Sequence, residues 1–353
     1  MGLIVDIKKK LSNFNLDIQF EVDEDIFAIL GASGSGKSMI LKCISGIEKP
    51  DSGHIEYNGK VFFDSKKNIN ITPQKRNVGF LFQSYALFPN MTVEENIKSG
   101  IRDKKKYFND MDGIMKKFFI YKIRNRYPRE ISGGEQQRTA LARMFISSPN
   151  ILMLDEPLSA LDYYIKWELE RFIADKIKDF SGVSLFVSHS RDEVYRVCDK
   201  IGILNRGKFD IIESKHNLFS APRTRFAAIL TGCKNFAKVK VISDKKIEIT
   251  DWNIILEFKN SFNDNNINYI GIRAHYFFDN FNNTLNDDVF NLECKILKVI
   301  EDVFSYMIIL KPLRSKDNIN IVWEFSKENY CEIYKIGNII NLGFKRESIL
   351  FLR

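Results

Sequence analysis

The apolar run Ile26-Phe27-Ala28-Ile29-Leu30 empties directly into Gly31-Ala32-Ser33-Gly34-Ser35-Gly36-Lys37-Ser38, and the apolar stretch Met39-Ile40-Leu41-Lys42-Cys43-Ile44 follows, ending near Gly46. A run without a polar residue reads as a strand buried on both faces, the habit of a parallel sheet. The stretch after Ser38 reads as a helix stopped by Gly46. Strand, glycine-rich loop and helix in that order commit the chain to an α/β fold. In such a loop the glycines let backbone N–H groups turn inward on phosphate oxygens. Lys37 supplies a cation for the β and γ oxygens, and Ser38 offers a hydroxyl to Mg²⁺.

A second apolar run, Ile151-Leu152-Met153-Leu154, delivers Asp155 and Glu156 to the carboxyl edge of the same sheet. Asp155 then belongs in the Mg²⁺ shell with Ser38, and Glu156 can polarise an attacking water. Gln83 follows the strand-like Val78-Gly79-Phe80-Leu81-Phe82 and can reach Mg²⁺ or the water as an uncharged ligand. His189 ends the run Phe186-Val187-Ser188, where an imidazole can bond a γ-phosphate and hold Glu156 in place. His54, His216 and His275 have no such company and are set aside. Between these elements lies Ser132-Gly133-Gly134-Glu135-Gln136-Gln137-Arg138, a serine and two glycines ahead of a helix, which is a second anion site. One phosphate loop does not need a second, so the nucleotide is expected between two protein surfaces.

The length of 353 residues suits two domains, each taking roughly 100 to 200 residues. Val5 to Ile7 and Leu16 to Phe20 read as strands. Residues 84–132 change character, with Val93 to Ile97 and Met111 to Ile123 reading as helices of a helical subdomain. Strands return at Ile151 to Leu154 and Val183 to Val187, joined by a crossover helix over Ala160 to Lys178. Ile201 to Leu204 with Gly207 suggests a hairpin. From residue 231 the texture turns to short strands, Ala237 to Ile242, Lys246 to Ile249, Ile254 to Phe258 and Leu292 to Val299, separated by Asn/Asp clusters. The division expected is 1–230 for an α/β nucleotide domain and 231–353 for a β-rich regulatory domain, a small OB-like β-barrel.

Composition narrows the class. No run of about 18 apolar residues is present to form a membrane helix. The N-terminus has an early acid, Asp6, where a signal segment would be basic and then apolar, and the same Asp6 argues against myristoylation of Gly2. Five scattered cysteines, Cys43, Cys198, Cys233, Cys294 and Cys331, make neither a disulfide frame nor a zinc site and fit a reducing cytosol. The net charge of +8 is spread over short runs such as Lys8 to Lys10, Lys66-Lys67 and Lys104 to Lys106, not gathered on one aromatic-studded face, so nucleic acid is not the expected partner.

Taken together, Gly31 to Ser38, Gln83, Ser132 to Arg138, Leu152 to Pro157, Ser159-Ala160-Leu161-Asp162 and His189 resemble the whole motif set of an ABC ATPase, in order, over roughly residues 3 to 230. The resemblance implies ATP and Mg²⁺ as ligands and a head-to-tail pair of two copies. In that pair Ser132, Gly133, Gly134 and Glu135 of one copy face the γ-phosphate held by the other, and Asp162 communicates across the interface. Glu135 stands where the family often has Gln, and Ile131 where it usually has Leu. The family stacks an early aromatic residue on adenine, and Phe14 is the candidate.

A finer resemblance is to importer ATPases for oxyanions. Gln83 to Val93 resembles the import-type segment beside which a permease's cytoplasmic helix docks, and Thr231-Gly232-Cys233-Lys234-Asn235 resembles the junction of the molybdate group. Gly271-Ile272-Arg273-Ala274-His275 is similar to an importer C-terminal element, with Ala274 and His275 replacing Pro and Glu. The resemblance implies an import ATPase on the cytoplasmic face of the membrane, serving permease subunits and, through them, a solute-binding protein. Molybdate is the first solute; sulfate or thiosulfate, then polyamine, sugar or ferric iron, are the alternatives. A non-transport ABC ATPase acting on DNA or ribosomes commonly carries two cassettes or a coiled-coil insertion, and neither is seen. A P-loop kinase leaves Ser132 to Arg138, Asp162 and His189 without a role.

Overall fold

The computed structural model describes residues 2–23, 25–82, 84–101, 111–259, 261–262, 266–280, 288–315 and 319–353. Gln83, Lys104 to Lys106 and part of the Asn-rich stretch after residue 259 lie outside them. The chain divides into two compact units, Met1–Lys215 and His216–Arg353.

In the first unit β1 (Leu3–Lys10) and β2 (Asn15–Val22) pair antiparallel, and alternation sets their faces. Leu3, Val5 and Ile7 are buried while Ile4, Asp6 and Lys8 are exposed. β3 (Ile26–Gly31) is buried at every residue and runs into α1 (Lys37–Ser45). Then β4 (Ser52–Tyr57), β5 (Lys60–Asp64) and β6 (Ile69–Asn70) complete an antiparallel sheet in the order β2-β1-β4-β5-β6. These three strands are not among those expected from the sequence, although Asn58-Gly59 signals the β4–β5 hairpin. Both residues sit at positive φ, 48° and 79°, as a two-residue hairpin turn requires.

The rest of the unit runs through α2 (Pro73–Arg76), β7 (Val78–Leu81), α3 (Val93–Lys98), α4 (Met111–Lys117) and α5 (Gly133–Ile146). It continues with β8 (Ile151–Asp155), α6 (Tyr163–Lys178), β9 (Val183–Ser188), α7 (Arg191–Val197), β10 (Lys200–Asn205) and β11 (Lys208–Ser214). The second sheet has the order β11-β10-β3-β9-β8-β7, parallel throughout except for the β10–β11 hairpin. One core joins the two sheets: Val5 and Ile7 of β1, Phe27 and Ile29 of β3, and Ile40 and Leu41 of α1 share a cluster.

Two expectations need correction. The helix expected over Met111 to Ile123 breaks, because Phe119 adopts φ 56° and the chain resumes as a 3-10 turn, Tyr121–Ile123. A left-handed aromatic residue cannot continue a right-handed helix. The crossover helix begins at Tyr163, not Ala160, with Asp162 at its cap position.

In the second unit the strands are β12 (Asn235–Ser243), β13 (Lys246–Ile249), β14 (Ile254–Glu257), β15 (Tyr269–Ile272), β16 (Phe278–Asp279), β17 (Val289–Glu301), β18 (Ser305–Pro312), β19 (Ile321–Ser326), β20 (Ile339–Lys345) and β21 (Ile349–Leu352). They form two antiparallel sheets, β14-β13-β12-β15-β21 and β16-β20-β17-β18-β19, around one apolar core that includes Trp252, Ile270, Leu342 and Phe344. Irregularities in register between Val241 and Ser243 and between Ile296 and Lys298 bend the long strands, as closure toward a small barrel needs. Two helices, α8 (Lys215–Ser220) and α9 (Arg225–Leu230), precede these strands. Arg273, buried, donates to Phe219 O and Thr231 O, so it ties β15 to the helical segment. Among the described residues no helix is long and apolar enough to cross a membrane.

The end of α1 carries an unusual buried charge. Arg76, 1% exposed, donates to Cys43 O, Ile44 O, Ile71 O and Asn70 Oδ1 at 2.8–3.0 Å, satisfying carbonyls that the helix end leaves open. Burial lowers its pKa to about 10, so it remains charged at neutral pH. Gly46 must be glycine here: its φ is 81°, and a Cβ would lie 2.6 Å from Arg76 Nε. Replacing Arg76→Met strands two backbone acceptors, Ile44 O and Ile71 O, at roughly 1–3 kcal/mol each, and takes a second donor from Cys43 O, which keeps Gly46 N. The expected loss is about 3 kcal/mol or more, read from urea unfolding; a change under about 0.5 kcal/mol would remove this role from Arg76.

Candidate functional site

The parallel register decides what meets at the carboxyl edge. Leu30 of β3 lies opposite Ser188 of β9, Val187 of β9 opposite Asp155 of β8, and Leu154 of β8 opposite Leu81 of β7. The residues next in the chain, Gly31 to Ser38, His189, Glu156 and Phe82, therefore emerge side by side. Four separate sequence motifs become one site.

The glycine loop is held by main-chain bonds and close approach. Gly34 and Gly36 have φ of 77° and 108°, which a Cβ would strain, and a Cβ on Gly31 would come within 2.5 Å of Leu204 O. Gly207 N, in the β10–β11 turn, donates to Ser35 O at 3.1 Å, and Asp17 N donates to Gly207 O at 2.8 Å. Ala32, Ser33 and Gly34 are exposed and Ser35 is buried. Lys37, 7% exposed, folds back so that Nζ donates to Gly31 O and Ala32 O, both at 2.9 Å. Its pKa is lowered by burial, while Glu156 and Asp155 pull it the other way. These two carbonyls hold the ammonium within the loop that would wrap a phosphate.

Phe14 is half-buried beside that loop. A Cβ on Gly36 would lie 3.3 Å from its ring, and one on Gly207 2.7 Å from it, so the ring lies between the phosphate loop and the hairpin turn.

Asp155 is 5% exposed and accepts a hydrogen bond from the Ser38 hydroxyl. Burial pushes its carboxyl above the ordinary carboxylate range, against the Ser38 bond and the Lys37 charge, which hold it down. Ser38 and Asp155 line a cavity of about 370 Å³ together with Lys42, Phe82 and Ser84. A hydroxyl and a carboxylate in contact at a phosphate loop form a hard oxygen pair, the donor set that Mg²⁺ prefers.

Glu156 adopts φ 50°, costly for a non-glycine residue, and its neighbours fix it there. Its N–H donates to Val187 O at 2.9 Å, and its carbonyl accepts from Gln137 Nε2 at 3.1 Å and Ser159 Oγ at 3.0 Å. The side chain reaches His189, Oε1 to Nδ1 3.2 Å, with the imidazole 65% exposed. The sequence places both residues, but not the frame behind them. Glu193, buried, accepts from the Ser188 hydroxyl and pairs with Lys166 of α6. Signals for that frame exist only as unremarkable polar residues at a strand end and on two helices.

Ser132 caps α5 in a reciprocal box. Its hydroxyl accepts from Glu135 N at 3.3 Å, and the Glu135 carboxylate accepts from Ser132 N at 2.8 Å and Ser132 Oγ at 3.0 Å. Gly133 is open on all sides, whereas a Cβ on Gly134 would sit 3.0 Å from Ala160 O, which explains the second glycine. Asp162, exposed, makes no capping bond with its side chain. Arg138, buried between them, feels the charges of Glu135 and Asp162. Arg143, further along α5, donates to Tyr85 O and Ala86 O, both residues at positive φ, and so pins the segment after Gln83.

Residues 12–159 match the family model described as ABC transporter. A molybdenum import ATP-binding protein of Aliivibrio fischeri is 38% identical over 225 residues, 63% of this chain and 61% of that protein. A sulfate/thiosulfate import ATP-binding protein of Mesostigma viride is 37% identical over 243 residues, 67% of this chain and 68% of that protein. The chain belongs to the ABC transporter family. It spans about three fifths of the length of the molybdenum relatives it matches. Among solved structures, a dimeric ATP-binding cassette in a post-hydrolysis state bound to ADP and Pi has a TM-score of 0.53 at 22% identity, covering 61% of this chain and 99% of that one. That likeness fixes the ABC cassette fold for the first unit.

Burial of Asp155 has a measurable consequence. Because its folded pKa is raised, the folded chain holds more protons than the unfolded one between the ordinary carboxylate value and the raised one. Stability therefore falls as pH rises through that window. Asp155→Asn should flatten this slope and raise the melting temperature of nucleotide-free protein at neutral pH. A lower melting temperature, or an unchanged slope, would show that Asp155 is not a strained carboxylate.

Proposed function

We propose that the protein is the ATP-hydrolysing subunit of an importer, acting as a head-to-tail pair on permease subunits at the cytoplasmic face of the membrane. The observation that carries this reading is the meeting of Lys37, the Ser38–Asp155 pair and the Glu156–His189 pair at one sheet edge. ATP would lie on Gly31 to Ser38 with Mg²⁺ at Ser38 and Asp155, joined by Gln83. Phe14 is the ring we assign to adenine, and 1–230 the nucleotide domain. Glu156 polarises the attacking water while His189 holds its carboxylate and faces the γ-phosphate, a division that suits a reaction governed by positioning and charge.

Ser132 to Glu135 and Asp162 serve the partner's nucleotide in this reading. The side-chain bonds of Ser132 run to Glu135 of its own helix, which leaves an exposed helix N-terminus unused by its own site. Permease docking is supported by the segment after Gln83, where Phe88 is 48% exposed on a loop that Asn96 grips by four hydrogen bonds to Phe88, Met91 and Thr92. The solute we propose is an oxyanion, molybdate first and sulfate or thiosulfate second, supported by molybdenum and sulfate/thiosulfate import relatives at 38% and 37% identity, with a polyamine as the next alternative because a spermidine/putrescine import relative aligns at 36%. Uptake with the cognate permease and solute-binding protein, comparing molybdate, tungstate and sulfate, decides between them.

Glu156→Gln should bind ATP with near-normal affinity while steady-state hydrolysis falls by about a hundredfold or more, the scale of losing one positioned group. Near-normal turnover in that variant would refute the role. Ser132→Arg should leave ATP bound to each chain but abolish nucleotide-driven pairing and turnover, followed by sedimentation and phosphate release. A monomer hydrolysing at full rate would contradict the paired site.

A further inference from the structure

The second unit holds a pocket of about 460 Å³ whose walls are aromatic, formed by Trp323 and Phe325 of β19, Phe278 of β16 and Tyr334. Trp323 and Phe325 lie 4.4 Å apart between ring centroids, and Tyr334 stands edge-on to Trp323 at 5.2 Å. The indole N–H of Trp323 donates to Phe277 O at 3.0 Å, so the wall is fixed rather than adaptable. Trp323 and Tyr334 are 3% and 5% exposed.

The titratable side chains in the lining besides Tyr334 are Asp279, Glu324 and His275; none of the described lining residues is Lys or Arg, in a chain of net charge +8. Glu324 is paired with Lys234 at 3.0 Å. Asp279 is bonded by the Tyr334 hydroxyl, yet its Oδ2 is buried with no hydrogen-bond partner among the described residues. Burial holds the Asp279 carboxyl above the ordinary carboxylate range and pushes Tyr334 up. Burial, then the Arg273 charge, pushes His275 down, which keeps it neutral at pH 7. A half-buried carboxylate under aromatic faces and beside a neutral imidazole suits a cation that carries N–H.

We propose that this pocket binds a small primary alkylammonium ion, its N–H donating to the Asp279 carboxylate and its charge resting against the faces of Trp323, Phe325 and Phe278. The volume suits a ligand of a few carbons. An oxyanion would meet Asp279 and Glu324 with no lysine or arginine of the lining to oppose them. A quaternary ammonium would satisfy the aromatic faces but give the Asp279 carboxylate no hydrogen bond. The site stands whatever solute the first unit helps to move.

Titration of the full chain with n-butylammonium chloride at constant ionic strength, followed by tryptophan fluorescence and calorimetry, tests this. Saturable binding is expected, with tetramethylammonium about tenfold weaker for want of the hydrogen bond and sodium sulfate not competing. Asp279→Asn should weaken n-butylammonium by about tenfold or more while Glu324→Gln changes it less. Phe278→Leu should weaken it severalfold with Asp279 intact, so the proposal stays testable if Asp279→Asn fails to fold. No saturation up to about 50 mM, a concentration far above any Kd worth the name of a site, would overturn the proposal. Equal binding of tetramethylammonium, or binding unchanged in both Asp279→Asn and Phe278→Leu, would overturn it too.

Discussion

The parallel register of β3, β9 and β8 is the constraint on which the rest of the first unit depends. Pairing Leu30 with Ser188 and Val187 with Asp155 leaves the chain no choice about where the next residues emerge. A slip of one residue would turn every side chain of a strand to the opposite face. The strands are buried on both faces, so such a slip would also disturb the packing on α1 and against β1. The core thus protects the site: the apolar runs that drive burial are the same runs that aim Lys37, Asp155, Glu156 and His189 at one volume.

Much of this is legible in the amino-acid order. Ile26 to Leu30 and Ile151 to Leu154 have no polar residue, so they read as buried strands, and motif residues at their ends belong at one edge. Pairwise geometry is not legible. Nothing in Ser188 or Glu193 announces that they bond each other next to His189 in the chain, and Arg76 reads as one more surface charge until its four acceptors are seen. The break at Phe119 is hidden because the residues on either side keep helical composition. The strands Ser52–Tyr57 and Lys60–Asp64 escape detection despite Asn58-Gly59, since the half-exposed pattern around it gives weak alternation.

The helix that begins at Ser132 shows how one motif can carry two readings at once. Within the chain, Ser132 and Glu135 form a capping box, which is sufficient reason for a serine and an acid at that spacing. The box does not explain Gly133, whose Cβ position is empty space. Open space above an exposed helix N-terminus is where another surface can approach. Gly134 is different, since Ala160 O closes over it and ties the start of α5 to the turn that leads to Asp162. Local structure therefore accounts for Ser132, Gly134 and Glu135, and leaves Gly133 to be explained by what lies outside the chain.

Two carboxylates, one in each unit, show how the same physics marks different states of a site. Burial raises the pKa of both Asp155 and Asp279. Asp155 has its charge opposed by Lys37 and its oxygens met by Ser38, so its cost is partly offset inside the folded chain. Asp279 has a tyrosine on one side and nothing on Oδ2 among the described residues, so its cost is not offset by the chain alone. Folding tolerates an unpaired buried acceptor only when the surrounding core over-determines the position, and here fixed aromatic rings do that. A carboxylate held ready without its counter-charge is a state completed from outside, and the rings around Asp279 limit what can complete it to a group that is cationic, small and able to donate a hydrogen bond.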